Sequence, residues 1–284
     1  MIRREFLALT AAAPLAAAPS RPSLCLFSKH LPKLNYDELG ETVRRLGFDG
    51  VDLTVRPGGH VLPDRVAEDL PRAVGAIRAH GVEVPMISTG LVAASDPAAR
   101  PTLSTAARLR VPFYKLGYWR YQGPEVEKRV GEVRRAVEGL VALGIEYGIQ
   151  AGFHNHSGDY VGSPVWDTRS IIEGLDPRWV GYYFDPCHAT AEGGAAGWRL
   201  ALQMAAPRLK MVALKDFYWE KAGRQWRMRM CPLGEGMVDW PRFFALLFEA
   251  RFTGPISLHV EYDPPDELDA IARDLAFIRK QMKL

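Results

Sequence analysis

Short apolar runs rich in β-branched and aromatic residues alternate with longer segments of helical period, and this alternation most constrains how the chain can fold. The runs fall at 23–29, 48–55, 82–89, 111–119, 148–156, 179–186, 209–217 and 255–263. Segments of helical character follow at 35–46, 64–80, after Asp96-Pro97, 124–147, 165–175, 196–206, 239–251 and from 266. In the first helix Tyr36, Leu39, Val43 and Leu46 mark one face at spacings of three and four. Gly81 is the expected stop of the second.

Eight strand-then-helix units within 284 residues predict a single (β/α)8 TIM barrel, an architecture of about 250 residues. An open doubly wound sheet would carry a glycine-rich phosphate loop after its first strand, and SKHLPKLNYDE (28–38) is not one. Apolar residues at 48% supply a core of the size a barrel needs, with 24% charged. A formal charge of +3, without clustering of Lys and Arg, argues against a nucleic-acid partner.

The first twenty residues, MIRREFLALTAAAPLAAAPS, differ in composition. Arg3-Arg4, an apolar run and the small residues Ala16-Ala17-Ala18 predict a signal peptide of twin-arginine type over 1–20, export to the periplasm, and a barrel domain over 21–284. The apolar run is too short for a lasting membrane anchor. Cys25, Cys187 and Cys231 form no CxxC and no even-numbered framework, so at most one pair could form after export.

Catalytic groups of such barrels gather where strands end, and alternate strand residues face the interior. Strand two ends with Asp52 and Arg56, and strand four carries Lys115 and leads to Tyr118. Strand five ends with His154-Asn155-His156, and strand six with Asp185 and then His188. Strand seven ends with Lys215-Asp216, and strand eight with His259, Glu261 and Asp263. His154 shares a face with His156, and His259 with Glu261. Carboxylates and imidazoles at one rim suit a divalent cation. Each also has a plainer reading: core histidines, Asp185-Pro186 as a helix start, Lys215-Asp216 as a rim ion pair. The contiguous HNH triplet at a barrel strand end is not the nuclease motif, whose residues come from separated positions.

The stretches VDLTVRPGGHV (51–61), HNHSG (154–158), VGSPVWD (161–167), FDPCHAT (184–190), ALKDF (213–217), PLGEGMVDW (232–240) and ISLHVEY (256–262) carry a family resemblance. With them the chain resembles the sugar phosphate isomerase/epimerase family, also called xylose isomerase-like TIM barrels, which includes ketose 3-epimerases, inosose dehydratases and endonuclease IV. The resemblance implies one divalent metal (Mn, Zn, Co or Mg) bound by a strand-five glutamate, a strand-six aspartate, a strand-seven histidine and a strand-eight glutamate. Asp185 and Glu261 match two of these, and His188 matches a substrate-contacting histidine. Strand five has His154 and His156 in place of the glutamate, and strand seven has Ala213 in place of the histidine.

The implied metal set is Asp185, Glu261 and His156, with His259 compensating for Ala213. Glu261 with His154 or His156 would move protons, and His188, Lys215, Lys115 and Arg56 would bind substrate. The activity implied is isomerisation or epimerisation of a sugar, polyol or keto-sugar by proton abstraction next to a carbonyl. The alternatives are a dehydratase or lyase on a keto-sugar or inosose, and a sugar-binding barrel that has lost catalysis. The expected partner is a small-molecule sugar or polyol, with no nucleic acid, and self-association into a homo-oligomer is open.

Overall fold

A computed structural model of the protein describes residues 21–283, so the signal-peptide reading of 1–20 lies outside the described residues. The barrel strands are β1 (Leu24–Phe27), β2 (Gly50–Val55), β3 (Glu83–Thr89), β4 (Phe113–Lys115), β5 (Gln150–His154), β6 (Val180–Phe184), β7 (Leu209–Leu214) and β10 (Ile256–Leu258). They close in the order β1-β10-β7-β6-β5-β4-β3-β2, every pair parallel. Parallel strands covered on both faces are written as near-continuous apolar runs, and LCLF in β1 is buried at every position.

The helices are α1 (Tyr36–Leu46), α2 (Val66–Ala79), α3 (Ala99–Arg108), α4 (Val126–Tyr147), α5 (Val165–Ile172), α6 (Pro186–Ala205), α7 (Trp240–Glu249) and α8 (Glu267–Met282). Helix α1 shows why such segments start and stop where they do. The Asn35 side chain accepts from the Asp37 and Glu38 amides, Glu38 accepts from the Asn35 amide, and Gly47 at φ 93° ends the helix. The main core lies between strands and helices, while Met86, Tyr183, Met211 and Ala213 pack separately inside the barrel. Among the described residues no helix is long and apolar enough to cross a membrane. Cys25, Cys187 and Cys231 are all free and buried.

Strands β4 and β10 are shorter than the runs at 111–119 and 255–263, and two further elements depart from the sequence expectation. Helix α6 starts at Pro186 rather than near 196, because the Asp185 carboxylate accepts from the His188 amide at 3.1 Å and Pro186 suits the first helical position. Gly194 (φ 60°, ψ −157°) then breaks the helix into two pieces. The second departure follows β7, which ends at Leu214 instead of running to 217. Asp216 opens an antiparallel hairpin of β8 (Asp216–Ala222) and β9 (Gln225–Cys231), turning at Gly223 with φ 65°. Its outer face leaves Trp219 and Trp226 exposed, at 39% and 62%.

Asp216 ties this hairpin to the loop 232–240. One carboxylate oxygen accepts from the amides of Phe217 (2.9 Å) and Val238 (3.2 Å). The other accepts from the amides of Gly234 (3.0 Å) and Gly236 (3.2 Å) and from the Trp240 indole at 2.8 Å. The loop approaches so closely that a Cβ on Gly236 would collide with the Asp216 carboxylate and the Phe217 carbonyl. Asp216 is therefore a buried anchor and not the partner of Lys215. Removing it strands several buried donors, so Asp216→Ala is expected to lower unfolding free energy by at least about 2 kcal/mol. Urea denaturation with an unchanged slope checks this, and a loss below about 0.5 kcal/mol would contradict it.

Candidate active site

The pleat of the strands sends alternate side chains inward, and at the C-terminal rim these become polar. Lys29, Arg56, Lys115, His154, Lys215, His259 and Glu261, with Tyr118 and His156, line a cavity of about 160 Å³ in the barrel mouth. A larger groove of about 620 Å³ runs beside the hairpin base and the start of α8. Asp263 lines that groove and not the mouth, and none of the groups gathered in the mouth reaches it. The smaller cavity is thus the one with chemistry.

At its floor the Lys215 ammonium lies 3.3 Å from Asp185 Oδ2 and 3.1 Å from Glu261 Oε2. Lys215 is 2% exposed and Asp185 fully buried. Burial opposes the charge on Lys215, but Asp185 and then Glu261 outweigh it and raise its pKa above the ordinary lysine range. Burial likewise works to raise Glu261. Lys215, then His259 and Lys29, prevail and hold the carboxyl well below the usual carboxylate range. The other Glu261 oxygen is 3.1 Å from Lys29 Nζ.

His154 and His156, adjacent to the same Asn155, have different states. His154 Nε2 is 3.2 Å from Asp185 Oδ2 and Nδ1 is 2.7 Å from the Tyr118 hydroxyl. A carboxylate only accepts, so Nε2 carries the hydrogen and Nδ1 accepts from Tyr118. Burial, then the charges of Lys215 and Lys115, push this imidazole well below its ordinary pKa. His156 donates from Nδ1 to the Ser157 carbonyl at 2.9 Å, which leaves its Nε2 lone pair free. Its ring packs on His188 at 4.0 Å between centroids and on Tyr160 at 4.4 Å.

His188 is oriented by Ser157 Oγ, 2.8 Å from Nδ1, and its Nε2 is buried without a hydrogen-bond partner. His259 stacks on Phe27 at 4.4 Å and places Nε2 3.1 Å from the Tyr183 hydroxyl, which donates to Asp52 at 3.1 Å. The Lys115 ammonium sits 3.6 Å from the centre of the Tyr118 ring. Burial and the nearby Arg56 charge lower its pKa to about 7.

The four residues expected to hold a divalent ion do not converge. Asp185 and Glu261 meet on the Lys215 ammonium, His156 turns to Ser157 and His188, and His259 rests on Tyr183 and Phe27. Among the described residues no group of three or more His, Cys, Asp or Glu is placed to hold a metal ion. Asn155 was absent from the expected site, yet it exchanges two 2.9 Å hydrogen bonds with the Asp185 backbone and fixes that strand end. Lys29 was missed too, although counting by two from Phe27 along the first strand would have found it.

The family model described as xylose isomerase-like TIM barrel matches residues 41–281. No curated protein sequence matches significantly. Among solved structures, a 3-keto-D-glucoside 4-epimerase from E. coli in its apo form aligns with TM-score 0.73 and 15% identity, covering 92% of this chain and 100% of that one. A D-allulose 3-epimerase from Methylomonas sp. in complex with D-allulose aligns with TM-score 0.70 and 18% identity, covering 93% and 99%. A xylose isomerase-like TIM barrel protein from Mycobacterium smegmatis in complex with magnesium aligns with TM-score 0.68 and 17% identity, covering 92% and 96%. At these identities the likeness is one of fold.

The depressed imidazoles make stability depend on pH with a defined sign. His30, His154, His156 and His188 all have folded pKa values below the ordinary 6.5, His30 at about 3. The unfolded chain binds these protons first, so their stabilisation is full above about 6.5 and is lost as pH falls toward the folded values. Unfolding free energy from urea melts should fall by more than about 1.4 kcal/mol between about pH 6 and about pH 5, the effect of one linked proton. Constant stability over that interval would contradict the assignment.

Proposed function

This chain belongs to the xylose isomerase-like TIM barrel family, and from that premise we propose that it is a sugar or keto-sugar isomerase or epimerase acting by proton abstraction next to a carbonyl. One observation carries the reading: the mouth cavity sets basic nitrogens beside a buried cation, the pair of functions that enolisation requires. The names of two structures sharing the fold, a 3-keto-D-glucoside 4-epimerase and a D-allulose 3-epimerase holding D-allulose, agree with it. Export, expected from residues 1–20, is part of the same proposal.

The geometry redistributes the roles expected from sequence. Glu261 is clamped by two ammonium groups, which makes it a weak base and a strong positioning charge. His154 has both nitrogens engaged. The groups suited to move a proton are His156, through its free Nε2, and Lys115, whose pKa of about 7 lies near a neutral working pH. They reach the cavity from the end of β5 and from β4. Glu261 with its lysines stands across the mouth after β10, four strands from β4 in the closed order. Arg56 and Lys29 add positive charge suited to hydroxyl oxygens or an anionic substituent.

The test is incubation of D-allulose and of 3-keto-glucosides with the protein in D2O, followed by proton NMR. Deuterium should appear at the carbon beside the carbonyl, and Lys115→Met and His156→Gln should each slow this by about 10²-fold or more. Exchange with no ketose or keto-glycoside, or exchange untouched by both substitutions, would refute the reading. Loss of water instead of exchange would identify the dehydratase alternative.

A further inference from the structure

We propose that Lys215 is the resident cation of this site, its ammonium standing between Asp185 and Glu261 where a divalent metal would otherwise bind. Two carboxylates from different strand ends converge on one nitrogen, at 3.3 and 3.1 Å, under a residue only 2% exposed. An arriving metal ion would need those same oxygens, and taking them would leave a buried ammonium unpaired.

The rest of the donor set fails a metal as well. His154 presents an N–H and not a lone pair toward Asp185 Oδ2. His188 Nε2 and His259 Nδ1 are buried without hydrogen-bond partners, but they stand one beside each carboxylate of the Lys215 pair, and among the described residues no three donors gather around one point. Strand β7 offers a methyl group, since Ala213 is buried with Met86, Tyr183 and Met211 inside the barrel. The two departures from the family pattern, His154 and His156 in place of a strand-five glutamate and Ala213 in place of a strand-seven histidine, thus accompany an ammonium held between the two carboxylates that remain.

The catalytic half of this inference rests on the enzyme reading above; the metal half does not. An ammonium has three N–H donors; one is hydrogen-bonded to Glu261 and the charge is paired with Asp185, which leaves a donor for a ligand in the cavity that Lys215 lines. His156 Nε2 or Lys115 Nζ takes the proton from the carbon beside the carbonyl. The C–H electron pair forms the C–C double bond, and the carbonyl pair moves onto oxygen, where Lys215 stabilises the enediolate. Return of a proton to carbon restores the carbonyl, so no oxidant or reductant is consumed.

Isothermal titration of EDTA-treated protein with MnCl₂ and with ZnSO₄ tests the assignment. Wild type should show no one-to-one binding. Ala213→His/Lys215→Met, which removes the ammonium and supplies an imidazole on β7, should bind one Mn²⁺ per chain. One-to-one binding by wild type would overturn the proposal, as would silence from the folded double variant. If circular dichroism shows that variant unfolded, Lys215→Gln replaces Lys215→Met and the same two outcomes decide.

Deuterium exchange measured in EDTA separates the two readings. Wild type should exchange without metal, and Lys215→Met should lose at least about 10²-fold. Exchange that appears only on adding Mn²⁺ overturns the Lys215 assignment. Absence of exchange under every condition sinks the enzyme reading alone, and the assignment then stands or falls on the titration.

Discussion

The ion cluster of Lys215, Asp185 and Glu261 is the constraint on which the rest of this site depends. Buried charge is tolerated only when paired, and here one ammonium satisfies two carboxylates brought from the ends of β6 and β10. Asp185 carries three duties at once: it pairs with Lys215, receives the His154 N–H, and caps α6 through the His188 amide. Its backbone is fixed in turn by Asn155. The positions of two histidine-bearing segments, the end of β5 and the start of α6, are therefore set by one aspartate whose charge is held by a lysine.

The surrounding electrostatics follow from that cluster. Burial first, and then the Lys215 charge, oppose added protons on His154, His156 and His188, so these imidazoles stay neutral and keep lone pairs for hydrogen bonding. Tyr118 links the neighbouring ends of β4 and β5, donating to His154 while its ring faces the Lys115 ammonium. A cavity of this kind holds fixed positive charge beside neutral bases. That combination favours a substrate that develops negative charge on oxygen after losing a proton from carbon.

The barrel was legible because its physics is repetitive. Parallel strands buried on both faces and helices with one apolar face write themselves as runs and spacings, and Asn35 and Gly47 bracket α1 as their chemistry dictates. The hairpin β8–β9 escaped because DFYWEKA and QWRMRMC mix aromatic and charged residues on a half-exposed ribbon, a pattern shared with polar loops. Its turn at Gly223-Arg224 was the available signal. At the site, residue types at strand ends were readable but their partners were not. Lys215 and Asp216 are neighbours in sequence, yet one faces the cavity and the other anchors loop 232–240. The unequal states of His154 and His156 depend on Tyr118, Asp185 and the Ser157 carbonyl, contacts that no spacing rule encodes.

Anomalous diffraction from crystals soaked in Mn²⁺ at neutral pH decides whether an ammonium or a metal ion stands between the two carboxylates. No anomalous peak is expected between Asp185 and Glu261, with Lys215 Nζ in salt-bridge contact with both carboxylates, near 3.3 and 3.1 Å. A manganese peak between those carboxylates, with Lys215 swung away, would contradict it.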